Sequence, residues 1–529
     1  MKSQLFLGIK DKSMQFNKLP KNYILILFLG LISFSLYINS LHGEFLVDDE
    51  SAILNNPSTH DYNTYISKHF RIKPGVLDEL KRVLIWKISG ENPFLYHLFN
   101  VIAHVSCVIF LFILINSLFN DRVLSFLSSL IFAIHPIHTE AISWISGGHY
   151  VFSSLFFIAA LIFYVNPVRN TTLEKNNIIV SNGVKSDRSI FYLALSVIFF
   201  CLCFFAGNAV ATLPIMFILY ELFFSQAQDK RLKRIRLLVL SLILMVAALF
   251  VGIVFVGRNK YIHTIFYFRG ASYLIVIAKA LAYYLKILYL PIQRGLYHPF
   301  AYNTMDTGKI TQAFFMALII IFSSIFAFFR CRKKAKPVSF GIAWFFVTYL
   351  PYSNIIPVCN IISERYMYLA CAGFSIIMAY LILKIWRIIN ENARYKIVLR
   401  YIAITAITLF LGSYSLLTLK HNIEYSNLIT YWQTNINNFP DGYKAYNNLA
   451  GTYYMMGNRE QAIAYCWVNL MIKPDQPHVW CNLGKVYREK GDLKQAVDCY
   501  REALSYDKDF LPAQKALTEI EKKLANPKK

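Results

Sequence analysis

Charge is scarce in this chain. Only 16% of its 529 residues are Asp, Glu, Lys or Arg, whereas a soluble protein carries about 25%. That shortage excludes an ordinary soluble enzyme. Cysteine pairing is missing as well. The nine cysteines form no Cys-x-x-Cys spacing, and Cys107, Cys201 and Cys203 lie inside apolar runs, so they read as small core residues rather than a zinc or disulfide framework. The 54 basic residues outnumber the 30 acidic ones. They are nevertheless scattered among separate segments instead of being gathered on one face, which leaves a nucleic-acid partner without support.

What is present is apolar length. Hydrophobic residues make up 56% of the chain, and runs of 18 or more recur, each able to cross a hydrocarbon core of about 30 Å as a helix. The expected fold is all-α, a polytopic transmembrane bundle followed by a helical-hairpin domain. The first span is 22–41 and the others read as 94–119, 122–138, 149–166, 190–206, 209–227, 237–256, 312–329, 338–353, 366–385 and 397–419. Lys2, Lys10, Lys12, Lys18 and Lys21 make 1–21 a basic cytoplasmic N-terminus. Loops assigned to the inside are basic (229–236, 330–336 and 384–400), and the opposing stretches 139–149 and 353–363 contain no Lys or Arg. The apolar segment 272–292 breaks the count and is expected to be re-entrant or interfacial. Its Lys279 and Lys286 are seven apart and share a helical face. They either snorkel to a membrane surface or face a phosphate.

Past residue 419 the pattern changes. "YNNLAGTYYMMGNREQAIAYC" and "WCNLGKVYREKGDLKQAVDCY" align at an offset of 34 residues, the tetratricopeptide signature of paired helices separated by small residues. The expected domains are therefore 22–419 in the membrane, with an outer loop over 42–93, and 420–529 as a repeat domain with repeats 443–476 and 477–510. Two repeats rarely stand alone, so flanking helices over 421–437 and 510–525 are expected to complete the stack. Eleven spans place this domain outside.

Three outer loops bring ionisable groups to that same side. "EFLVDDESAILNNP" carries Asp48, Asp49 and Glu50. "AIHPIHTEAISWISGGH" carries His135, His138 and Glu140, and "NIISERYMYLACAGF" carries Glu364 and Arg365. Charges at membrane depth are costly and usually face a partner or a cavity. One of Asp48 and Asp49 is suited to take a proton from an acceptor hydroxyl, and Arg365 is suited to hold a phosphate bidentately. Glu140 is read as a second acidic group, with His135, His138 and Lys279 near the donor phosphate. Plainer readings stand beside these: a solvated loop after a span for the Asp pair, an interfacial anchor for Arg365, and satisfaction of helix-end carbonyls around Pro136 for the histidines. No cofactor is demanded. A divalent ion, Mg or Mn, held by Asp48, Glu140 and His138 is an open alternative.

The order "FLVDD", "FLYHLFNVIAH", "HPIHTEAISWISG", "ERYMYL" and a repeat tail resembles the transmembrane and TPR repeat-containing O-mannosyltransferases and their prokaryotic relatives, GT-C glycosyltransferases. The resemblance implies a sugar, mannose in that family, moved from a polyprenyl-phosphate carrier to a protein or glycan hydroxyl. It also implies that Asp48 and Asp49 match the family's catalytic or metal-binding carboxylate. Where the family has an Arg-Pro-Leu stretch, this chain has "RIKPGVLDELKRV". The implied setting is a bacterial or archaeal plasma membrane with the repeats outside, or an endoplasmic reticulum membrane with the repeats in the lumen. The repeats would bind the acceptor. The competing reading is a non-catalytic membrane scaffold that recruits partners through its repeats.

Overall fold

The structure, a computed structural model, describes residues 22–70, 73, 75–173, 182–224, 235–236, 239–240, 243–244, 271–292, 319, 321–332, 334–355, 360–391 and 396–525. Among these residues every regular element is a helix. Five are long and apolar enough to cross a membrane: Phe94–Phe119, Ile145–Val165, Ser189–Ala206, Ala370–Glu391 and Lys396–Ile423. Arg122–Ile134 and Pro136–Ser143, bent by 53° against each other, qualify together as a sixth. Asn22–Leu36, Ala209–Phe224 and Ile321–Cys331 are shorter apolar helices. Most of the expected span 237–256 and part of 312–329 lie outside the described residues.

The bend has a local cause. Asp121 starts the helix by accepting from Val123 N and Leu124 N, both at 3.0 Å. Pro136 ends it, because its ring disfavours helical backbone in the residue before it. His135 is accordingly extended at φ −72° and ψ 123°.

Helix Phe94–Phe119 is central and packs on Asn22–Leu36, Arg122–Ile134 and Gly148–Leu173. Helix Lys336–Tyr349 lies against Ala370–Glu391. The latter pair touches backbone to backbone: a Cβ on Gly373 would stand 2.5 Å from Gly341 O, so only glycine permits this crossing. The segment 272–292 is one unbroken helix, Ala271–Tyr289, and not a re-entrant hairpin. Its last two turns dock into the bundle. Tyr284 OH donates to Ser363 O at 3.2 Å, and Leu288 O accepts from Tyr414 OH at 2.8 Å.

The repeat region forms two helical hairpins, Tyr443–Met455 with Arg459–Ile472 and Pro477–Lys490 with Leu493–Tyr506. Leu511–Ala525 covers the far end. The flanking helix expected over 421–437 is divided differently. Residues up to Ile423 extend the long helix Lys396–Ile423, and a new helix, Leu428–Asn438, opens at Asn427, whose side chain accepts from Thr430 N at 2.9 Å. That new helix is the bridge between the two parts of the molecule. Its Tyr431 and Trp432 share a core with Leu46 of the acidic loop, with Trp144, and with Ala445 and Leu449 of the first hairpin. The hairpins therefore sit at the same end of the bundle as Asp48.

Candidate active site at the loop end of the bundle

The two adjacent aspartates have opposite environments. Asp48 is exposed and Asp49 fully buried. A tight turn separates them. Asp49 N donates to Leu46 O at 2.8 Å, and Leu46 N donates back to Asp49 Oδ2 at 2.9 Å. Val47 is forced to φ +42°, a left-handed conformation that β-branched residues rarely adopt. The other oxygen of Asp49 reaches across to the neighbouring loop, accepting from Ser146 N at 2.8 Å and from Ser146 Oγ. Burial pushes the Asp49 carboxyl up to about 7, although the Ser146 and Leu46 donors work against the shift. Asp49 is thus a clamp between two loops. Asp48 is the carboxylate left open to a ligand.

Glu140 and Arg365 form the second feature. Glu140 Oε1 accepts from Ser363 Oγ at 2.6 Å and from Arg365 Nη1 at 2.9 Å, while Oε2 accepts from Arg365 N at 3.0 Å. Both side chains are nearly buried, at 2% and 11% exposure. Burial opposes the Arg365 charge, but the Glu140 carboxylate overrides it and raises the guanidinium pKa. The guanidinium carbon lies 4.6 Å from the Trp144 ring centre, 5.6 Å from Tyr150 and 5.7 Å from Tyr366, a cation in an aromatic box. Its Nε is left with no partner. Trp144 in turn donates from Nε1 to Leu46 O at 3.3 Å, joining the arginine to the acidic loop. Tyr431 packs in the same core as Leu46 and Trp144, so the acidic loop and the arginine segment are tied through one aromatic cluster.

A glycine makes the middle loop possible. A Cβ on Gly148 would stand 1.9 Å from Asn100 Oδ1. Asn100 fills that space and donates from Nδ2 toward the carbonyls of Ile142, Trp144 and Ile145 at 3.3–3.4 Å.

The remaining expected residues are placed elsewhere. His135 is spent on the bend: its Nδ1 accepts from Ile137 N at 3.1 Å and its Nε2 donates to Leu288 O at 3.0 Å. His138 packs in an aromatic cluster, 4.4 Å from Phe132 and 4.7 Å from Tyr368 between ring centres. Lys279 is half-buried on Ala271–Tyr289, about 140° around the helix from Tyr284, the residue that reaches Ser363. The helix-end role weighed for the histidines therefore describes His135. Among the described residues no three His, Cys, Asp or Glu side chains gather as metal ligands, so Asp48, Glu140 and His138 are not brought together as a set.

Sequence reasoning missed a buried charged cluster. In helix Val76–Ser89, Asp78 is held by Lys81 at 2.6 Å and Arg82 at 3.2 Å. Burial alone would raise the Asp78 carboxyl, but Lys81 and Arg82 pull it down to about 2. His149 lies within electrostatic reach of Asp78, Arg365 and Lys81, and its Nδ1 donates to Ser146 O at 2.8 Å. That bond fixes the tautomer and leaves Nε2 as an acceptor. The only sequence signals were the final His of "SWISGGH" and the charges of "LDELKR".

Tetratricopeptide repeat family models match residues 444–469 and 477–510. The chain's homologues are protein O-mannosyl-transferases. It is 25% identical to protein O-mannosyl-transferase TMTC3 of Homo sapiens across 93% of this chain and 56% of that one. With protein O-mannosyl-transferase F38B6.6 of Caenorhabditis elegans it shares 22% identity over 86% and 63% of the two chains. A shorter stretch, 26% of this chain and 18% of the other, is 37% identical to protein O-mannosyl-transferase tmtc2 of Xenopus laevis. The chain spans about half the length of the first two curated relatives it matches, at 56% and 55%. The oligosaccharyltransferase of Archaeoglobus fulgidus superimposes with a TM-score of 0.47 at 15% identity, covering 81% of this chain and 59% of that one.

Proposed function

We propose that this protein is a membrane glycosyltransferase that moves a sugar, mannose by kinship, from a polyprenyl-phosphate carrier to a hydroxyl of a protein or glycan. The observation that supports the reading is that Asp48, an open carboxylate, follows Leu46, whose carbonyl accepts from the Trp144 that carries the buried, charge-fixed Arg365, at the end of the bundle where the repeats dock. In the reaction the acceptor oxygen bonds to the anomeric carbon and its proton passes to Asp48. The carbon–oxygen bond to phosphate breaks, and the lipid phosphate leaves with the electron pair. A phosphate leaves as an anion without needing a proton, so the site has to supply one base and fixed positive charge. Asp48 is the base, a role that contributes about 10²–10⁴-fold. Arg365 supports the departing phosphate with fixed positive charge.

Asp49 and Glu140 hold these groups in place and do not react. Asp49 fixes the loop that carries Asp48, and Glu140 fixes Arg365. Transfer in EDTA tests the divalent-ion alternative: full activity would exclude an exchangeable ion. The acceptor would lie along the repeat groove, where Asn447 and Asn482 stand 3.3 Å apart in successive repeats and Lys485 lies over the Tyr454 ring.

The test is incubation of the purified full chain with polyprenyl-phosphate sugars and a hydroxyl acceptor, with released lipid phosphate as the signal. Asp48→Asn should slow release by about 10²–10⁴-fold while the unfolding midpoint stays put, since the side chain is exposed. Undiminished release by Asp48→Asn would remove the base assignment. No release from any carrier, with function lost only when 420–529 is deleted, would favour the scaffold reading.

A further inference from the structure

We propose a second ligand site at the opposite end of the bundle, one that takes the headgroup of an anionic phospholipid. Helix Ala370–Glu391 begins just after the Arg365 segment and runs away from it. Fourteen and seventeen residues on, about 21 and 26 Å along the axis, its Lys384 and Arg387 open into a cavity of about 220 Å³. Tyr380 and Leu383 complete that wall, and Phe119 and Asp121 stand on the facing one. Tyr380, Lys384 and Arg387 follow helical spacing, so one face presents a hydroxyl and two cations to the same space.

The balance of charge favours an anion. Asp121 is the one carboxylate lining the cavity. Its Oδ1 accepts from the amides of Val123 and Leu124, and its Oδ2 is 3.9 Å from Arg387. Among the described residues no carboxylate forms an ion pair with Lys384, while Asp121 is engaged by Arg387. Arg122, Lys334 and Lys336, all exposed, flank the lining residues in sequence and add to the positive potential. Shape and polarity then separate a lipid from free phosphate. Next to the cationic face, the same helix carries an exposed apolar stripe, Leu381 at 40%, Ile385 at 54% and Ile388 at 50% exposure. A cationic cavity beside an apolar stripe matches a molecule with an anionic head and an acyl chain, the chemistry of basic pockets between membrane helices. Free phosphate would use only half of it, and a zwitterionic headgroup would bring its own cation against Lys384.

The probe is dilauroyl phosphatidylglycerol, added to the delipidated full chain in detergent and followed by native mass spectrometry. Dilauroyl phosphatidylcholine and glycerol 3-phosphate serve as the other arms. One tightly held phosphatidylglycerol is expected, with neither of the others retained at the same concentration. Each basic side chain near an anionic lipid contributes a factor of about 5, so Lys384→Gln with Arg387→Gln should weaken retention about 30-fold. Both side chains are exposed, so the fold should survive. Leu383→Trp, which fills the cavity without touching charge, should weaken retention as well. Equal retention of phosphatidylcholine would overturn the proposal, as would unchanged binding in the double variant. Competition by glycerol 3-phosphate at the same concentration would overturn the lipid assignment in favour of a plain phosphate site.

Discussion

Replacing Asp49 with Asn should remove a stretch of pH dependence from the protein's stability. The carboxyl is buried and titrates near 7 when folded, against about 3.8 when unfolded. The folded state therefore keeps a proton over a range where the unfolded state has released it. Stability from this group is fully present below about pH 4 and is lost as pH rises toward 7. A shift of about three pKa units corresponds to about 4 kcal/mol, of which about 2 falls between pH 5 and 7. Asn cannot ionise, so the variant should lose that slope. It also has a cost: an amide nitrogen facing Leu46 N leaves that buried donor without its acceptor, a loss of about 1–3 kcal/mol. The wild type should therefore be the more stable of the two at pH 5 and should lose that advantage by pH 8. The assay is the thermal unfolding midpoint from intrinsic fluorescence, in one detergent and at one scan rate, across pH 5–8. Parallel curves for the two proteins would refute the reasoning. They would show that the three donors on Asp49 hold it ionised and that burial does not win.

Two further substitutions test the other supports. Glu140→Gln strands the buried Arg365 without a counter-charge and should lower stability by about 3–5 kcal/mol; adding Arg365→Met should recover much of that in chemical denaturation without restoring transfer, a coupling that independent roles would not show. Gly148→Ala puts a methyl group where Asn100 now sits and should cost about 2–4 kcal/mol from overpacking and lost hydrogen bonds; Asn100→Ala in the same background should relieve the clash, read as a partial return of the midpoint.

Much of this architecture was legible in the sequence, because hydropathy and repeat periods report on single elements. Among the described residues the apolar runs are helices, and the 34-residue offset is two hairpins. The division of labour within the site was not legible. Asp48 and Asp49 are neighbours in sequence, and only the turn at Val47, with its positive φ, sends one outward and the other inward. His135 reads as a phosphate neighbour because it shares an outer loop with His138 and Glu140. A histidine that caps a broken helix has the same sequence signature as one that binds, and only the carbonyl of Leu288, 153 residues away, tells them apart. Asp78, Lys81 and Arg82 read as an ordinary amphipathic helix surface. Their burial depends on Phe99 and Phe152, which stand 5.9 and 5.7 Å from Lys81 Nζ and come from other helices.

The site's buried charges serve mainly to hold other groups still. Asp49 takes Ser146 by both its amide and its hydroxyl, and the carbonyl of the same Ser146 fixes the His149 ring. The acidic loop and the start of the Gly148–Leu173 helix therefore move as one piece. Trp144 adds a second tie, bonding to Leu46 O while its ring carries Arg365. Asp48 itself is held by none of these side-chain bonds, yet its backbone lies between Leu46 and Asp49, both of which are anchored. An exposed carboxylate can in this way keep a defined position without having its own oxygens consumed, which is what the proposed role as a base would require. The strained backbone at Val47, a conformation that costs about 1–3 kcal/mol, follows from the same demand. The turn has to reverse within three residues to bury one aspartate and present the other.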